Sequence, residues 1–175
     1  MNTLGRWRSN RLQRGSSLME FALVSGLLFL ILFGIIEMGL MFKDKAILSQ
    51  AAREASRSLG VGSRPGIALQ RAETSAAGLG LTWPPPQASD STAQVGSATS
   101  SGYALITLTK TTPDASGNPT TWSAVGVSLD NSTVNDASAG DLVKATITYN
   151  HPLVSSFVFS TGFKTEGASV VMRRE

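Results

Sequence analysis

The sequence predicts an α+β protein with a long N-terminal helix, a short second helix and a C-terminal antiparallel β-sheet. An apolar run of 22 residues, 21–42, passes without a break into an amphipathic stretch that reaches Leu59. Gly60 and Gly62 then supply a helix stop. After residue 102, four segments rich in β-branched and aromatic residues alternate with turn clusters, which is typical of an antiparallel sheet.

The chain of 175 residues has room for one domain of ordinary size and an additional segment. The composition changes along it predict five parts. These are a leader (1–15), the membrane or assembly half of the helix (16–42), an amphipathic helical region (43–80), a Pro/Ser-rich linker (81–101) and a β-rich head (102–175).

The helices follow from apolar spacing and the strands from alternation. Apolar residues at helical spacing predict one helix over 18–59, and a proline near the first turn predicts a second helix over 65–77. The predicted strands are 103–110, 122–129, 142–149 and 168–173. In the third strand, Val143, Ala145, Ile147 and Tyr149 share one face, which predicts one-sided burial against the amphipathic helix. The segment 83–86 predicts a stiff polyproline stretch, and 154–159 is ambiguous between strand and helix.

Composition excludes several classes of function. Cysteine is absent, so disulfides, Cys-ligated metals and thiol catalysis are excluded, and a single histidine excludes a His-cluster metal site. Of the 15 basic residues, four arginines lie in 1–15, and the other 11 are balanced by 12 acidic residues. No basic face remains for nucleic acid, and no cofactor motif is present.

No catalytic residues are predicted. His151 precedes Pro152 at a strand end, and we interpret it as a turn residue and not a general base. Asp130, Asp136 and Asp141 lie in loop sequence without a twelve-residue calcium pattern. No metal site is therefore predicted, and calcium binding by this loop is left open.

The apolar run is long enough to span a membrane. At the helical rise, 22 residues cover roughly 33 Å, about the thickness of a bilayer core. Four arginines precede the run, whereas Lys43, Asp44 and Lys45 follow it with a net charge of +1. This asymmetry predicts a single-pass protein with a cytoplasmic N-terminus and the remainder of the chain outside, which in a prokaryote means the periplasm or the cell surface.

A prepilin-type leader accounts for the start of the chain better than an ordinary signal peptide or a permanent anchor. The run is too long for a signal peptide and lacks a small-x-small site after it. A permanent anchor makes no demand on the preceding residues. A prepilin leader demands a glycine, four residues and a glutamate, and Gly15 and Glu20 meet that demand. The predicted cleavage lies between Gly15 and Ser16.

Glu20 and the adjacent Phe21 are the candidate residues for subunit assembly. A carboxylate at the edge of a spanning helix is costly unless it is paired, which favours a contact with the new α-amino group of Ser16. The alternative is an acid at headgroup level, stabilised by the helix dipole. Ala22 and Gly26 form a small-xxx-small pair that permits helix–helix contact, and Glu37 is either solvated or part of such a contact.

With these residues in view, the chain resembles the TadE-like family of pseudopilins, minor pilin-like proteins of the tight-adherence (Flp, type IVc) pilus system. The resemblance lies in three segments, 15–24, 33–39 and 50–57. It implies a pilin-like fold, cleavage by a prepilin peptidase, and insertion in the bacterial inner membrane with a periplasmic head. It also implies a structural role in pilus assembly with other pilin subunits and the assembly machinery. Membrane lipid is the remaining implied partner. The alternative is an uncleaved, single-pass binding module with a periplasmic β-rich head.

Overall fold

The computed structural model describes residues 9–79, 104–125, 134–153 and 163–175, with side chains in the first range from Ser16 onward. The chain divides into two compact units, Met1–Gly39 and Leu40–Glu175. The predicted linker and polyproline stretch, and the ambiguous segment 154–159, lie outside the described residues.

Helix α1, Ser9–Gly60, confirms the predicted long helix and extends it by nine residues at its N-terminal side. No proline interrupts 9–60, and the isolated Gly15 costs only about 1 kcal/mol of helix propensity. The helix ends where a glycine adopts the left-handed conformation, since Gly62 has φ of 80°. The backbone nitrogens of Gly62 and Ser63 donate to the carbonyls of Leu59 and Ser58.

Helix α2, Pro65–Ser75, confirms the second helix, and a 3₁₀ turn, Ala77–Leu79, follows it. Pro65 stands at the first helical position, where a missing N–H costs nothing. The apolar side of α2 is buried through Ala68, Leu69 and Ala72.

The sheet has four antiparallel strands in the order β2-β1-β3-β4, as the predicted fold class requires. The strands are β1 Ala104–Thr111, β2 Ser123–Ala124, β3 Leu142–Pro152 and β4 Phe163–Arg173. Ile106 of β1 stands opposite Ile147 of β3, and Ala145 of β3 opposite Val170 of β4. The described part of the predicted strand 122–129 is a short two-residue edge strand, and 126–133 lies outside the described residues.

One face of the sheet forms the core with α1 and α2. The predicted one-sided burial of β3 is confirmed, because Val143, Ala145, Ile147 and Tyr149 are all buried. Facing them on α1 are mainly small residues with two leucines: Leu48, Ala51, Ala52, Ala55 and Leu59. Alanines let the helix backbone approach the sheet closely, since side-chain size sets the spacing between packed elements.

Two strands are longer than the sequence predicts. β3 continues to Pro152 and β4 begins at Phe163, and these two residues stand opposite each other at the end of the ladder. The interpretation of His151 as a turn residue is therefore wrong. His151 is a buried residue of β3, and a carboxylate of α1 contacts its ring.

Candidate functional site

The predicted cleavage site lies inside α1. Gly15 and Ser16 both have helical backbone, and the helix starts six residues before Gly15. Cleavage here stays a prediction, and it would require this helical backbone to open into an extended strand. Glycine is less stable in a helix than alanine by about 1 kcal/mol. Gly15 therefore lowers the free energy needed to open the helix at this point.

The candidate assembly residues lie on an exposed helix surface. Glu20 is exposed and makes no ion pair or hydrogen bond with a described residue, and Phe21 is 70% exposed. An isolated carboxylate beside exposed aromatic and aliphatic side chains has no stabilising partner inside the described chain. The role of Glu20 in subunit assembly stays a prediction.

The exposed apolar surface continues along the helix. A window of 18 residues within Ser16–Gly60 has a mean hydropathy of 2.4, and none of it is buried. The exposed large apolar residues here are Leu18, Met19, Phe21, Leu23, Val24, Leu27, Leu28, Phe29, Leu30, Ile31, Leu32, Phe33, Ile35, Ile36, Met38 and Phe42. A surface of this size is not left in water, so it needs lipid or other apolar helices around it. The segment fits a single-pass membrane anchor.

Small residues leave space on this surface. Ala22 and Gly26 are exposed, and a Cβ placed on Gly26, Gly34 or Gly39 would meet no atom within 4 Å. No close contact within the described chain therefore requires these glycines. The space is available to a neighbouring helix, as the small-xxx-small pair predicts.

Glu37 differs from its apolar neighbours because it is only 9% exposed. A helix–helix contact of Glu37 stays a prediction. The solvated carboxylate stays a prediction as well.

Among the described residues, side-chain polar contacts join α1 to the sheet and its loops beyond the apolar run, and the first is a buried contact between a carboxylate and an imidazole. Asp44 Oδ2 lies 2.5 Å from His151 Nδ1, and both side chains are at most 10% exposed. Asp44 follows Phe42 by only two residues, so the pair ties the beginning of the amphipathic half to the end of β3. A buried carboxylate is stable only with such a partner.

Tyr149 belongs to the same cluster. Its ring meets the His151 ring edge-on with centroids 6.3 Å apart. Burial, and then the negative charge of Asp44, raise the pKa of the Tyr149 hydroxyl. The tyrosine hydroxyl therefore stays neutral, and the tyrosine ring packs against the His151 ring.

The second contact places a helix hydroxyl between two strands. Ser56 Oγ is fully buried, accepts from the backbone nitrogen of Ala145 at 3.3 Å and donates to the carbonyl of Val170 at 2.8 Å. It also lies 2.8 Å from the carbonyl of Ala52, one turn back. Since Ala145 and Val170 are opposite each other in the β3–β4 ladder, the serine joins α1 to both strands at once.

The α1 residues of these two contacts and the exposed apolar surface lie within one stretch of sequence that matches a family model. Residues 15–57 match the TadE-like protein family. The match runs from the predicted cleavage glycine to the residue after Ser56 and confirms the resemblance stated from the motifs. We name residues 15–57 the TadE-like segment. No curated protein and no solved structure matches the chain.

The third contact lies just beyond the TadE-like segment. Asn135 is 4% exposed, and its Nδ2 donates to the carbonyls of Leu59 and Ser63 at 3.0 and 3.2 Å. Its Oδ1 accepts from the backbone nitrogen of Ala137. The side chain thus satisfies carbonyls that the end of a helix leaves without intrahelical partners.

The described aspartates of the loop before β3, Asp136 and Asp141, are each engaged with protein groups. Asp136 pairs with Lys110, and Asp141 accepts from Thr112 Oγ1 and the backbone nitrogen of Ser138. Asp130 lies outside the described residues. Within the ranges that the structure describes, no three metal-ligating side chains come together.

The sequence did not single out Asp44, Ser56 or Asn135, although a signal existed for the first. Asp44 precedes Leu48, Ala51 and Ala55 at helical spacing, which places it on the core face of the amphipathic half. An acid on a core face needs a partner, and the chain's single histidine was the natural candidate. For Ser56 and Asn135 no comparable signal is present, because their partners are backbone groups.

Glu73 in the last turns of α2 offers a test of local electrostatics. Burial raises its pKa, so the folded state holds the proton more tightly than the unfolded chain. Its stabilising contribution is present below the unfolded pKa and is lost as pH rises through the folded pKa. We expect Glu73→Gln to increase the free energy of unfolding at pH 7, by less than about 1 kcal/mol, since the group is only partly buried. Denaturant titrations of both proteins should converge near pH 4, and an unchanged difference at both pH values would contradict this.

Proposed function

We propose that this protein is a minor pilin, or pseudopilin, that takes part in assembling or initiating a tight-adherence type IVc pilus. Its leader is removed by a prepilin peptidase after Gly15. The mature N-terminal helix then joins the helices of other pilin subunits, and the head stays in the periplasm. The role is structural, with no catalytic step.

The observation that carries the proposal is the coincidence of three features in the TadE-like segment. The glycine–glutamate spacing of Gly15 and Glu20 stands at its start, the exposed apolar surface follows, and the family match covers both. An uncleaved anchor needs only the second feature. The direction of insertion is supported by the charge difference between the leader and residues 43–45.

Glu20 has a defined task in this proposal. Cleavage creates an α-amino group at Ser16, and a carboxylate near the lipid phase is stable when such a cation neutralises it. Ser16 and Glu20 are four residues apart, so the amino group and the carboxylate of one chain are neighbours on the helix. Because Glu20 is exposed, the amino group of a neighbouring subunit can also reach it. Pairing between subunits gives the carboxylate a role in registering one helix against the next.

The size of the unit that follows the apolar run supports a minor subunit and not the main subunit of the filament. Leu40–Glu175 is a compact unit with its own core of helix and sheet. Bulk subunits of this pilus system are much smaller, so a domain of this size fits a subunit present at few positions. It offers surface for contacts that a bare helix lacks.

Glu20→Ala should separate assembly from processing. Because Glu20 lies after the cleaved bond, we expect normal processing but at least about a tenfold loss of the protein from the sheared pilus fraction, equivalent to about 1.4 kcal/mol of lost pairing. Quantitative immunoblots of pilus and membrane fractions measure both steps. Glu54→Gln is the matched control, since Glu54 is an acid of the same helix that pairs with Arg71 at its surface. Normal pilus incorporation of Glu20→Ala would contradict the role of this carboxylate.

A further inference from the structure

Two lysines follow the exposed apolar surface directly. Lys43 and Lys45 are both exposed, and Phe42 before them is 66% exposed. In the part of the chain that the structure describes, neither lysine makes an ion pair or a side-chain hydrogen bond. Both ammonium groups are therefore available to an external anion.

The acid between them does not neutralise them. In sequence, Asp44 reduces the local charge to +1. In the structure, its carboxylate is buried and faces His151 Nδ1 at 2.5 Å, away from the solvent that surrounds the lysines. The exposed charge at this level of the helix is thus that of two cations.

Their spacing spreads these cations around the helix. Two residues correspond to a rotation of about 200°, so Lys43 and Lys45 flank the helix on two sides with Asp44 between them. The next exposed cations on α1, Arg53 and Arg57, lie about 15 and 21 Å from Lys43 along the axis. That exceeds the screening length of about 10 Å in 0.1 M salt.

We propose that Lys43 and Lys45 bind the phosphate groups of anionic phospholipids in the leaflet that faces the head. The proposal rests on the proposed function, in which residues 21–42 span the membrane. A long lysine side chain at the end of an apolar helix reaches headgroup phosphates while its methylenes stay on apolar surface. The lipid contact would hold the helix at a fixed depth next to the Asp44–His151 pair.

The absence of cysteine allows a local measurement. The full chain carrying Ala46→Cys, an exposed position between the lysines and the head, takes a single fluorophore. In phosphatidylcholine nanodiscs, its quenching is compared for small amounts of doxyl-phosphatidylglycerol and doxyl-phosphatidylcholine. In sequence, the four leader arginines precede the apolar run, whereas position 46 follows it.

We expect stronger quenching by the anionic lipid, with a local enrichment of about 5- to 30-fold for two cations at low salt. The ratio should fall towards one in about 0.5 M salt. In the Lys43→Gln/Lys45→Gln variant it should be near one at any salt. The matched control, Arg53→Gln/Arg57→Gln, loses the same charge farther along the helix and should keep the enrichment.

The outcomes separate this inference from the proposed function. Equal quenching by both lipids, or an enrichment that survives in the lysine variant, overturns the lipid preference and leaves membrane insertion intact. Quenching by neither lipid shows that position 46 is not near a membrane surface, and then both proposals fail.

Discussion

Asp44→Ala is expected to lower the free energy of unfolding of the head by about 3 kcal/mol, because it leaves the buried His151 ring without its hydrogen bond to Asp44. The variant leaves the buried His151 ring without its Asp44 partner and removes the side-chain hydrogen bond that joins this end of α1 to β3. His151→Ala should cost a similar amount for the converse reason. Chemical denaturation of the full chain in detergent micelles measures both.

The paired replacement distinguishes a buried charge pair from simple packing. Asp44→Leu/His151→Leu should be much less destabilising than the sum of the single variants, because apolar pairs of similar volume replace buried ion pairs at little cost. Glu54→Ala is the control, since its exposed pair with Arg71 should be worth at most about 1 kcal/mol. Additive effects of the two single variants would show that Asp44 and His151 act independently.

Gly15→Val is expected to block removal of the leader, reducing the processed fraction at least about 100-fold, or about 2.7 kcal/mol in the barrier to cleavage. A branched side chain next to the scissile bond obstructs the extended backbone that a peptidase requires, and Gly15 must in addition leave a helix to reach it.

Gly26→Val is the matched control for this prediction. Gly26 lies in the same helix, and a Cβ there meets no atom within 4 Å. It stands outside the glycine–glutamate spacing, so we expect normal processing. Equal processing of the Gly15 and Gly26 variants would contradict the assignment of the cleavage site.

Most of the fold follows from local patterns. α1 and α2 were predicted because their apolar spacing, their proline start and their glycine stop all agree. The buried face of β3 was predicted from strict alternation over Val143 to Tyr149. In these elements the burial pattern depends on residues close together in the sequence. The elements can therefore be predicted from the sequence alone.

The ends of β3 and β4 show where local patterns stop being informative. Asn150 and His151 are polar and precede proline, so they favour a turn in isolation. They stay in the strand because Asn150 Oδ1 accepts from Thr165 at 2.9 Å and His151 contacts Asp44, 107 positions away. Partners that distant cannot be inferred from spacing along one segment.

The candidate site divides in the same way. The roles of Gly15 and Glu20 were inferred from spacing in the sequence; both residues lie within the family match, and their roles stay predictions. The contacts that hold α1 on the head were missed because they are tertiary. Ser56 acts only once α1 is close to β3 and β4, and Asn135 only once the helix end meets its loop.

The most direct test of the account is the N-terminus of the native protein. Intact mass of the membrane-extracted chain should correspond to a start at Ser16 in cells with the prepilin peptidase and to the full chain in cells without it. A start at Met1 in both strains would contradict the prepilin assignment and favour the uncleaved anchor. A start beyond Phe42 would identify an ordinary secretion signal and remove the basis for a pilin role.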